Sequence, residues 1–480
     1  MIERTRARTA RIGVFGVGHE TYWEQFPGLL DNLMGYHERF KGLLPTEDIE
    51  LRDYGLLDRS EKAYEALGAM RGDGLDLVFC NMLTYATSSV FAPIIRELDV
   101  PVVLAALQPR AAMDYTAANT FMQLENDNVC SVPEFTGVAQ RLGKRVWDVV
   151  FGTLDEPGAA AELASWCDVA RALHALKGAR LGLMGHVLES MYDMHADPTA
   201  LSAAFGLHVP LLEAGQLFDC WEAVSYDALT ERAELILQEF DTPDPVSDPV
   251  TTRLTERDLQ LAARASCALD LFVQAHRLTG LAYYYEGRPD SEERAMLSSL
   301  IVGNSILNAQ GIPMCGEFDS KTCVAMLLMD RLGIGGSFAE FHPFDFGGDF
   351  ILVGHDGPHH MAIADTKPVL RSLKKYHGKP GSGASVEFQI KEGPITLLSI
   401  SQTAEGRMKF VIGEGESVRG PIPPTGNTNT RGHFLPDVRT FMKRWAMAGP
   451  THHFALGVGH HAAQLVRIAD ILGLESVWVR

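Results

Sequence analysis

Over roughly its first hundred residues the chain alternates short apolar runs with longer amphipathic ones. "RIGVFGV" reads as a strand, "YWEQFPGLLDNLMGYHERF" as a helix with one apolar face, and "LDLVFCNML" as a second strand. "SSVFAPIIRELD" then reads as a helix and "PVVLAAL" as a strand. Strands separated by helix-length stretches pair in parallel, with the helices covering both faces of the sheet. After a helical segment, "AAAELASWCDVARALHALKG", the rhythm restarts with the strand "ARLGLMGHV", a helix near "PTALSAAFG" and the strand "HVPLLEA". A polar, proline-spaced connection follows, "DTPDPVSDPVTTRLTERD". Two long helices are then predicted, in "LQLAARASCALDLFVQAHRLTG" and "SEERAMLSSLIVGNSILNAQG", with the strand "LAYYYEG" between them.

Beyond about residue 332 the texture changes. "SFAEFHPFDFGGDFILVGHDG" and "ASVEFQIKEGPITLLSISQTAEGRMKFVIGEGESV" are strand-length runs broken by Gly and Glu-Gly turns, an antiparallel, barrel-like pattern. The chain closes with helices in "DVRTFMKRWAMAG" and "HHAAQLVRIADILG" and a strand in "SVWV". At 480 residues it exceeds the roughly 250–300 residues at which one core stops growing, so several domains are expected. The predicted organisation is an N-terminal α/β domain over 1–177, a central α/β domain over 178–331 and a C-terminal β-barrel domain with closing helices over 332–480.

A net charge of −19 with no long Lys/Arg block speaks against a nucleic-acid partner. The seven cysteines are scattered without a CxxC pair, so they suggest small core residues rather than a disulfide framework or a thiolate zinc site. The apolar part of the N-terminal stretch, "IGVFGVG", is too short for a signal peptide, and no apolar run reaches the roughly 18–20 residues of a membrane span. A cytoplasmic protein without a membrane partner is expected.

Several short segments carry candidate chemistry. "FGVGHETYW" has Gly16 and Gly18 after a strand, but position 21 is Thr and no acidic ribose partner follows at dinucleotide distance. It reads instead as a strand-end loop presenting His19, Tyr22 and Trp23 at the sheet edge where open α/β folds bind ligands. In "PMCGEFDSKTCVAMLLMDRLG", Asp319 or Ser320 suits a helix N-cap. Glu317 is wedged between Gly316 and Phe318, where a carboxylate needs a cation or a hydrogen-bond network. Glu340 lies on a strand-like apolar run, and His355 follows the strand "FILV" and Gly354. His342, His359 and His360 read as loop histidines. Near the end stand two histidine pairs, His452–His453 and His460–His461, the second at the start of a helix. Glutamates and histidines at strand ends and Gly-flanked turns form an oxygen/nitrogen donor set suited to Mn²⁺ or a similar ion. Two carboxylates beside such an ion can move a carbon-bound proton and a hydroxyl proton between vicinal carbons, as an aldose–ketose conversion requires.

The chain resembles the L-arabinose isomerase and L-fucose isomerase superfamily, closer to the arabinose side. "GEFDSKTCVAMLL" stands where arabinose isomerases have Gly-Glu-Gly-Asp-x-Lys-Thr-Ala, and "GGSFAEF" where they have Gly-Thr-Ser-Phe-Met-Glu-Asp. "FILVGHDG" resembles their Gly-Ser-His strand end and "AGPTHHFAL" their Ala-Gly-Gly-Ala-His-His-Thr, in the same order along the chain. The resemblance implies two Rossmann-like, flavodoxin-like parallel-sheet domains plus a C-terminal antiparallel barrel-containing domain. It implies that Glu317, Glu340, His355 and His453 hold Mn²⁺, with Co²⁺, Fe²⁺ or Mg²⁺ as alternatives, and that Glu317 and Glu340 are also the acid/base pair. His452 would lie in the sugar pocket. A trimer or hexamer with active sites between subunits is implied, so that His19 and Tyr22 of one chain help line a neighbour's pocket.

Two stretches depart from the pattern. "ENDNVCSVPEF" replaces Asn-Gln-x-Ala-His-Gly, leaving Asn126 and Asn128 near the sugar-contacting places, and "GHVLESMYD" replaces Gly-Asp-Asn-Met-Arg. The expected function is isomerisation of a pentose or deoxyhexose type sugar through an enediolate. The alternatives are a sugar-binding paralogue without turnover and a metal-dependent epimerase on the same scaffold.

Overall fold

The computed structural model describes residues 2–187, 190–244, 251–373, 375–376, 379–423 and 426–480. The chain divides into two compact units, one of Arg8–His174 and one of Met1–Ala7 with Ala175–Arg480.

The Arg8–His174 unit is built on five strands, Ala10–Val17, Ile49–Leu57, Leu77–Met82, Val102–Gln108 and Asp148–Thr153. All pair in parallel, in the spatial order second, first, third, fourth, fifth, which is the flavodoxin-like winding. The central strands are buried throughout, as parallel strands covered on both faces must be. The predicted helix in "YWEQFPGLLDNLMGYHERF" is two helices, Thr21–Gln25 and Leu29–Lys41. Pro27 cannot continue the first, and Gly28, at φ +88°, starts the second in a backbone state open to glycine. Ile49–Leu57 went unread because it is an edge strand whose polar residues face outward.

The larger unit contains a four-stranded parallel sheet and a barrel. The sheet runs Met314–Cys315, Gly280–Tyr283, Leu181–Met184, Leu211–Leu212. In "HVPLLEA" only Leu211 and Leu212 pair as a strand. The helix predicted in "SEERAMLSSLIVGNSILNAQG" is interrupted: Glu292–Leu297 ends at Ser298 and Ile301–Ala309 begins after Leu300. Of the proline-spaced connection, residues 245–250 lie outside the described ones, while Thr251–Thr252 pairs with Val369–Leu373.

The barrel closes in six antiparallel strands: Gly393–Gln402, Phe454–Val458, Gly335–Asp345, Phe350–Gly354, Thr430–His433 and Met408–Val418, the last returning to the first. Closure removes open edges apart from the outer strand Glu475–Val479, added in parallel to Met408–Val418. The helix Ser320–Leu332 is buried on every side because it touches both the barrel strands and the parallel strand Gly280–Tyr283. That explains its unbroken apolar run Cys323–Met329.

The helices Val438–Met447 and Ala462–Ile471 end the chain as predicted. All seven cysteines are free, five of them buried, with Cys220 half-buried and Cys130 exposed. Among the described residues no helix is long and apolar enough to cross a membrane.

Candidate metal centre

Glu317 lies in the turn between Met314–Cys315 and Ser320–Leu332. Glu317 and Phe318 both take left-handed backbone conformations, φ +56° and +62°. For a residue as bulky as Phe this costs on the order of 1–3 kcal/mol and persists only where the surroundings impose it. The strained turn aims a buried carboxylate between two imidazoles: Glu317 Oε1 is 3.8 Å from His355 Nε2 and Oε2 is 3.8 Å from His453 Nε2. These separations exceed hydrogen-bond length and suit three donors facing a common cation.

The barrel register brings the other donors to the same place. Glu340 is opposite Gly354, the residue before His355, and its neighbour Ala339 is opposite Phe454, the residue after His453. One strand therefore carries Glu340 between the two histidine-bearing strands. Gly354 is required there, because a Cβ would stand 2.6 Å from the Asn429 backbone nitrogen. Donor atoms of Glu317, His355 and His453 lie within 4.8 Å of one another, as do those of Glu340, His452 and His453. His453 belongs to both groups. Phe338 packs against both inner histidine rings, at 4.4 Å from each centroid.

Each inner histidine has a carboxylate behind it. His453 Nδ1 is 3.1 Å from Asp319 Oδ2, and His355 Nδ1 is 3.4 Å from Asp356 Oδ1. With the His453 Nδ1–H donated to Asp319, its Nε2 lone pair faces Glu317, the arrangement that metal-binding histidines use, and His355 Nε2 faces the same carboxylate. Asp319 also caps Ser320–Leu332, accepting from the Thr322 backbone N–H at 3.0 Å and from its hydroxyl at 2.8 Å. Burial pushes the Asp319 pKa up, but the His453 bond, the nearby charges and the Thr322 N–H outweigh it and hold it at about 2. Burial draws the His453 pKa down, and its bond to Asp319 with the charges of Asp319, Glu317 and Glu340 raises it overall. The set is carboxylate and imidazole only, with no thiolate, and fits a hard to intermediate divalent ion such as Mn²⁺.

Sequence reasoning saw Asp319 as a cap and missed its bond to His453. It also missed Lys321, Asp193, Phe338 and Asp356. Lys321, two residues before the apolar run Cys323–Met329 of a buried helix, was the one local signal. His342 Nε2 stands 3.9 Å from Glu340 Oε1, on the same strand. His342 is thus a strand residue rather than a loop one, while His359 and His360 lie in the loop between Phe350–Gly354 and the turn Met361–Ile363, as expected, but are buried there. His359 meets Ser337, and burial pulls its pKa down to about 4, while His360 Nε2 meets Asp330 at 3.1 Å. His461 occupies the N-cap position of Ala462–Ile471 and contacts Gln464, and half-exposed His460 contacts Gly415 and Glu416.

His19, Tyr22, Asn126 and Asn128 belong to the Arg8–His174 unit. His19 follows the C-terminal end of Ala10–Val17 and packs edge-on against Tyr22 and Tyr85, at 5.2 and 6.0 Å. Buried Asn128 donates to Met82 O at 2.5 Å and buried Asn126 to Met122 O at 3.0 Å. Their Oδ1 atoms meet no donor among the described residues. The four residues thus sit around the end of the first and third strands, where the winding direction of this sheet reverses and such folds take ligands.

Residues 335–475 match the family model of the L-arabinose isomerase C-terminal domain. Similar proteins include the L-arabinose isomerase of Nocardioides sp., 26% identical over 86% of this chain and 82% of that one. The L-arabinose isomerase of Aeromonas hydrophila is 23% identical over 82% of this chain and 79% of its own. L-arabinose isomerase 1 of Bacillus licheniformis is 23% identical over 88% and 84%. A solved C2-type ketoreductase from a modular polyketide synthase gives a TM-score of only 0.20 at 10% identity, covering 65% of this chain and 81% of that one, which bears on nothing here.

Proposed function

We propose that the chain, which is similar to L-arabinose isomerases over most of its length, is an aldose–ketose isomerase whose Glu317, Glu340, His355 and His453 hold a divalent ion. The observation that carries the reading is the buried Glu317 carboxylate facing two imidazole Nε2 atoms, each imidazole backed by a carboxylate, with Glu340 beside them. A bound Mn²⁺, or Co²⁺, Fe²⁺ or Mg²⁺ in its place, would supply the positive charge that steadies an enediolate.

The protein's own groups handle the protons. One of Glu317 and Glu340 takes the proton from C2 of the aldose and returns it to C1, while the other carries the hydroxyl proton from O2 to O1. Glu317 is buried, its side chain 6% exposed, and Glu340 is partly open at 26%. Phe338 walls the inner histidines and keeps water from their ring faces.

The substrate is a sugar, and we place it among pentoses and deoxyhexoses. His452 contacts it, and His19, Tyr22, Asn126 and Asn128 serve its recognition in a trimer or hexamer of the chain. The open Oδ1 acceptors of the two asparagines support that role. Assignment of the acid/base pair is tested by hydrogen exchange in D₂O. The Mn²⁺-loaded protein incorporates deuterium at the sugar carbon next to the carbonyl, and Glu317→Gln or Glu340→Gln abolishes it. Exchange at an undiminished rate in Glu340→Gln removes that residue from the pair. Sugar binding without exchange in the unaltered protein would favour a sensor, and inverted configuration without a ketose would favour an epimerase.

A further inference from the structure

The segment Glu317–Lys321 positions more than one donor. Its third residue, Asp319, orients His453. Its fifth, Lys321, is fully buried, and its Nζ donates to the backbone carbonyls of Asp193 at 2.8 Å and His195 at 3.0 Å. A buried ammonium is costly unless its protons are used. Burial draws the Lys321 pKa down, against the charges of Asp319 and Asp193. What those bonds secure is the short 3₁₀ turn Tyr192–Met194, anchored also by the buried side chain of Met194.

That turn presents the Asp193 carboxylate to the other histidine of the pair. Asp193 Oδ2 accepts from the His452 backbone N–H at 2.9 Å and meets His452 Nδ1 at 2.6 Å. A carboxylate doubly engaged in this way fixes both the direction of the ring and its tautomer. With Nδ1–H committed to Asp193, Nε2 keeps its lone pair. A ring nitrogen of His452 lies within 4.8 Å of donor atoms of both Glu340 and His453. The turn overlaps the end of "GHVLESMYD", the stretch where the chain departs from the arabinose isomerase pattern, and Asp193 is the last residue of that stretch.

We propose that Asp193 and Lys321 are positioning residues of the isomerase centre. Lys321 fixes the 192–194 turn, Asp193 fixes the ring and tautomer of His452, and His452 Nε2 accepts a hydrogen bond from a hydroxyl of the sugar being isomerised. One five-residue segment thereby sets both members of the histidine pair, His453 directly through Asp319 and His452 at one remove through Asp193. This inference rests on the isomerase reading above.

The test uses the full chain with Asp193→Ala, Asp193→Glu, Lys321→Met, His452→Ala and the double variant Asp193→Ala/His452→Ala. In metal-free, ¹⁵N-histidine-labelled protein, with the His452 signal assigned by its loss in His452→Ala, ¹⁵N NMR should show the Nδ1–H form. Asp193→Ala should shift it toward Nε2–H. With Mn²⁺ and the aldose that the unaltered protein converts fastest, Asp193→Ala should lose about 10–100-fold in kcat/KM. Bound Mn²⁺ per chain should stay the same, Asp193→Glu should recover part of the loss, and the double variant should be no slower than His452→Ala. Lys321→Met should give the Asp193→Ala phenotype at a reduced size, and if it does not fold the Asp193 variants decide alone. Additive losses in the double variant, or loss of metal together with activity, would overturn the proposal. If the unaltered protein converts no aldose, the isomerase reading fails by itself. The tautomer still decides the positioning claim, which Nε2–H in the unaltered protein refutes.

Discussion

Replacing Asp319 by Asn changes two atoms' worth of chemistry at the best-defined point of the centre. The carboxylate is fully buried, with Oδ1 on the Thr322 N–H at 3.0 Å and Oδ2 shared between Thr322 Oγ1 and His453 Nδ1, the latter at 3.1 Å. Asn can keep the capping oxygen, so the helix start survives. Its NH₂ group then stands where Oδ2 was, a donor against the Nδ1–H of His453. The imidazole relieves the conflict by moving its proton to Nε2, which removes the lone pair facing Glu317. Removing such a supporting carboxylate typically weakens metal binding about 10–100-fold, or about 1.4–2.8 kcal/mol. Isothermal titration of the metal-free protein with Mn²⁺ should show that loss in Asp319→Asn, with far-UV circular dichroism unchanged. There is a matching signature in stability. A carboxyl lowered from 3.8 to about 2 contributes stability that is present above pH 3.8 and lost as pH falls toward 2, on the order of 2 kcal/mol. That part of the acid sensitivity should vanish in Asp319→Asn. Mn²⁺ affinity equal to that of the unaltered protein would refute the reasoning.

Arg4 makes two bonds of 2.8 and 2.6 Å to Asp330, buried beside Arg331 and His360. Arg4→Ala should lower stability by about 1–2 kcal/mol in urea denaturation, less than for a fully buried pair because Arg4 is 30% exposed and Asp330 keeps two partners. Gly354→Ala would push a methyl group to within 2.6–2.7 Å of backbone atoms of Asn429 and Asn427, so a loss of roughly 2 kcal/mol or more is expected, with weaker Mn²⁺ binding because His355 follows directly. His460→Gln should leave Mn²⁺ affinity within about twofold, since the polar partners of His460 among the described residues are Gly415 and Glu416, and a tenfold loss would return it to the centre. His453 titrates above its ordinary 6.5, so its proton competes with the metal: Mn²⁺ affinity should be full at alkaline pH and decline as pH falls through a value above 6.5, as titrations at several pH values would show.

Much of this architecture was legible in the chain because the signals are local. The strand "RIGVFGV", the buried strand "LDLVFCNML" and the turn-punctuated runs beyond Gly335 carry their periodicity in consecutive residues. The errors came where two or three residues override a pattern, as Pro27–Gly28 and the Ser298–Leu300 break do in helices that read as continuous. Of the proposed donors, Glu317, Glu340 and His355 stood out as carboxylates amid apolar neighbours or a histidine after a strand, while His453 was singled out of its pair by the family resemblance alone. Their supports did not. Asp193 meets His452 across 259 positions and Lys321 meets Asp193 across 128, pairings that only the folded chain reveals. Asp319 shows both sides of this: its role as a cap follows from the residues after it, its bond to His453 from a strand 134 positions away.

The most direct test of the account is to follow the carbonyl itself. Mn²⁺-loaded protein is incubated in D₂O with aldopentoses and 6-deoxyhexoses labelled with ¹³C at C1, and ¹³C NMR tracks the label. The account predicts that for at least one of these sugars the labelled hemiacetal carbon becomes a hydroxymethyl carbon bearing deuterium, with the carbonyl now at C2. An aldose of inverted configuration, or a metal-loaded protein that binds the sugars and leaves the label where it was, would contradict it.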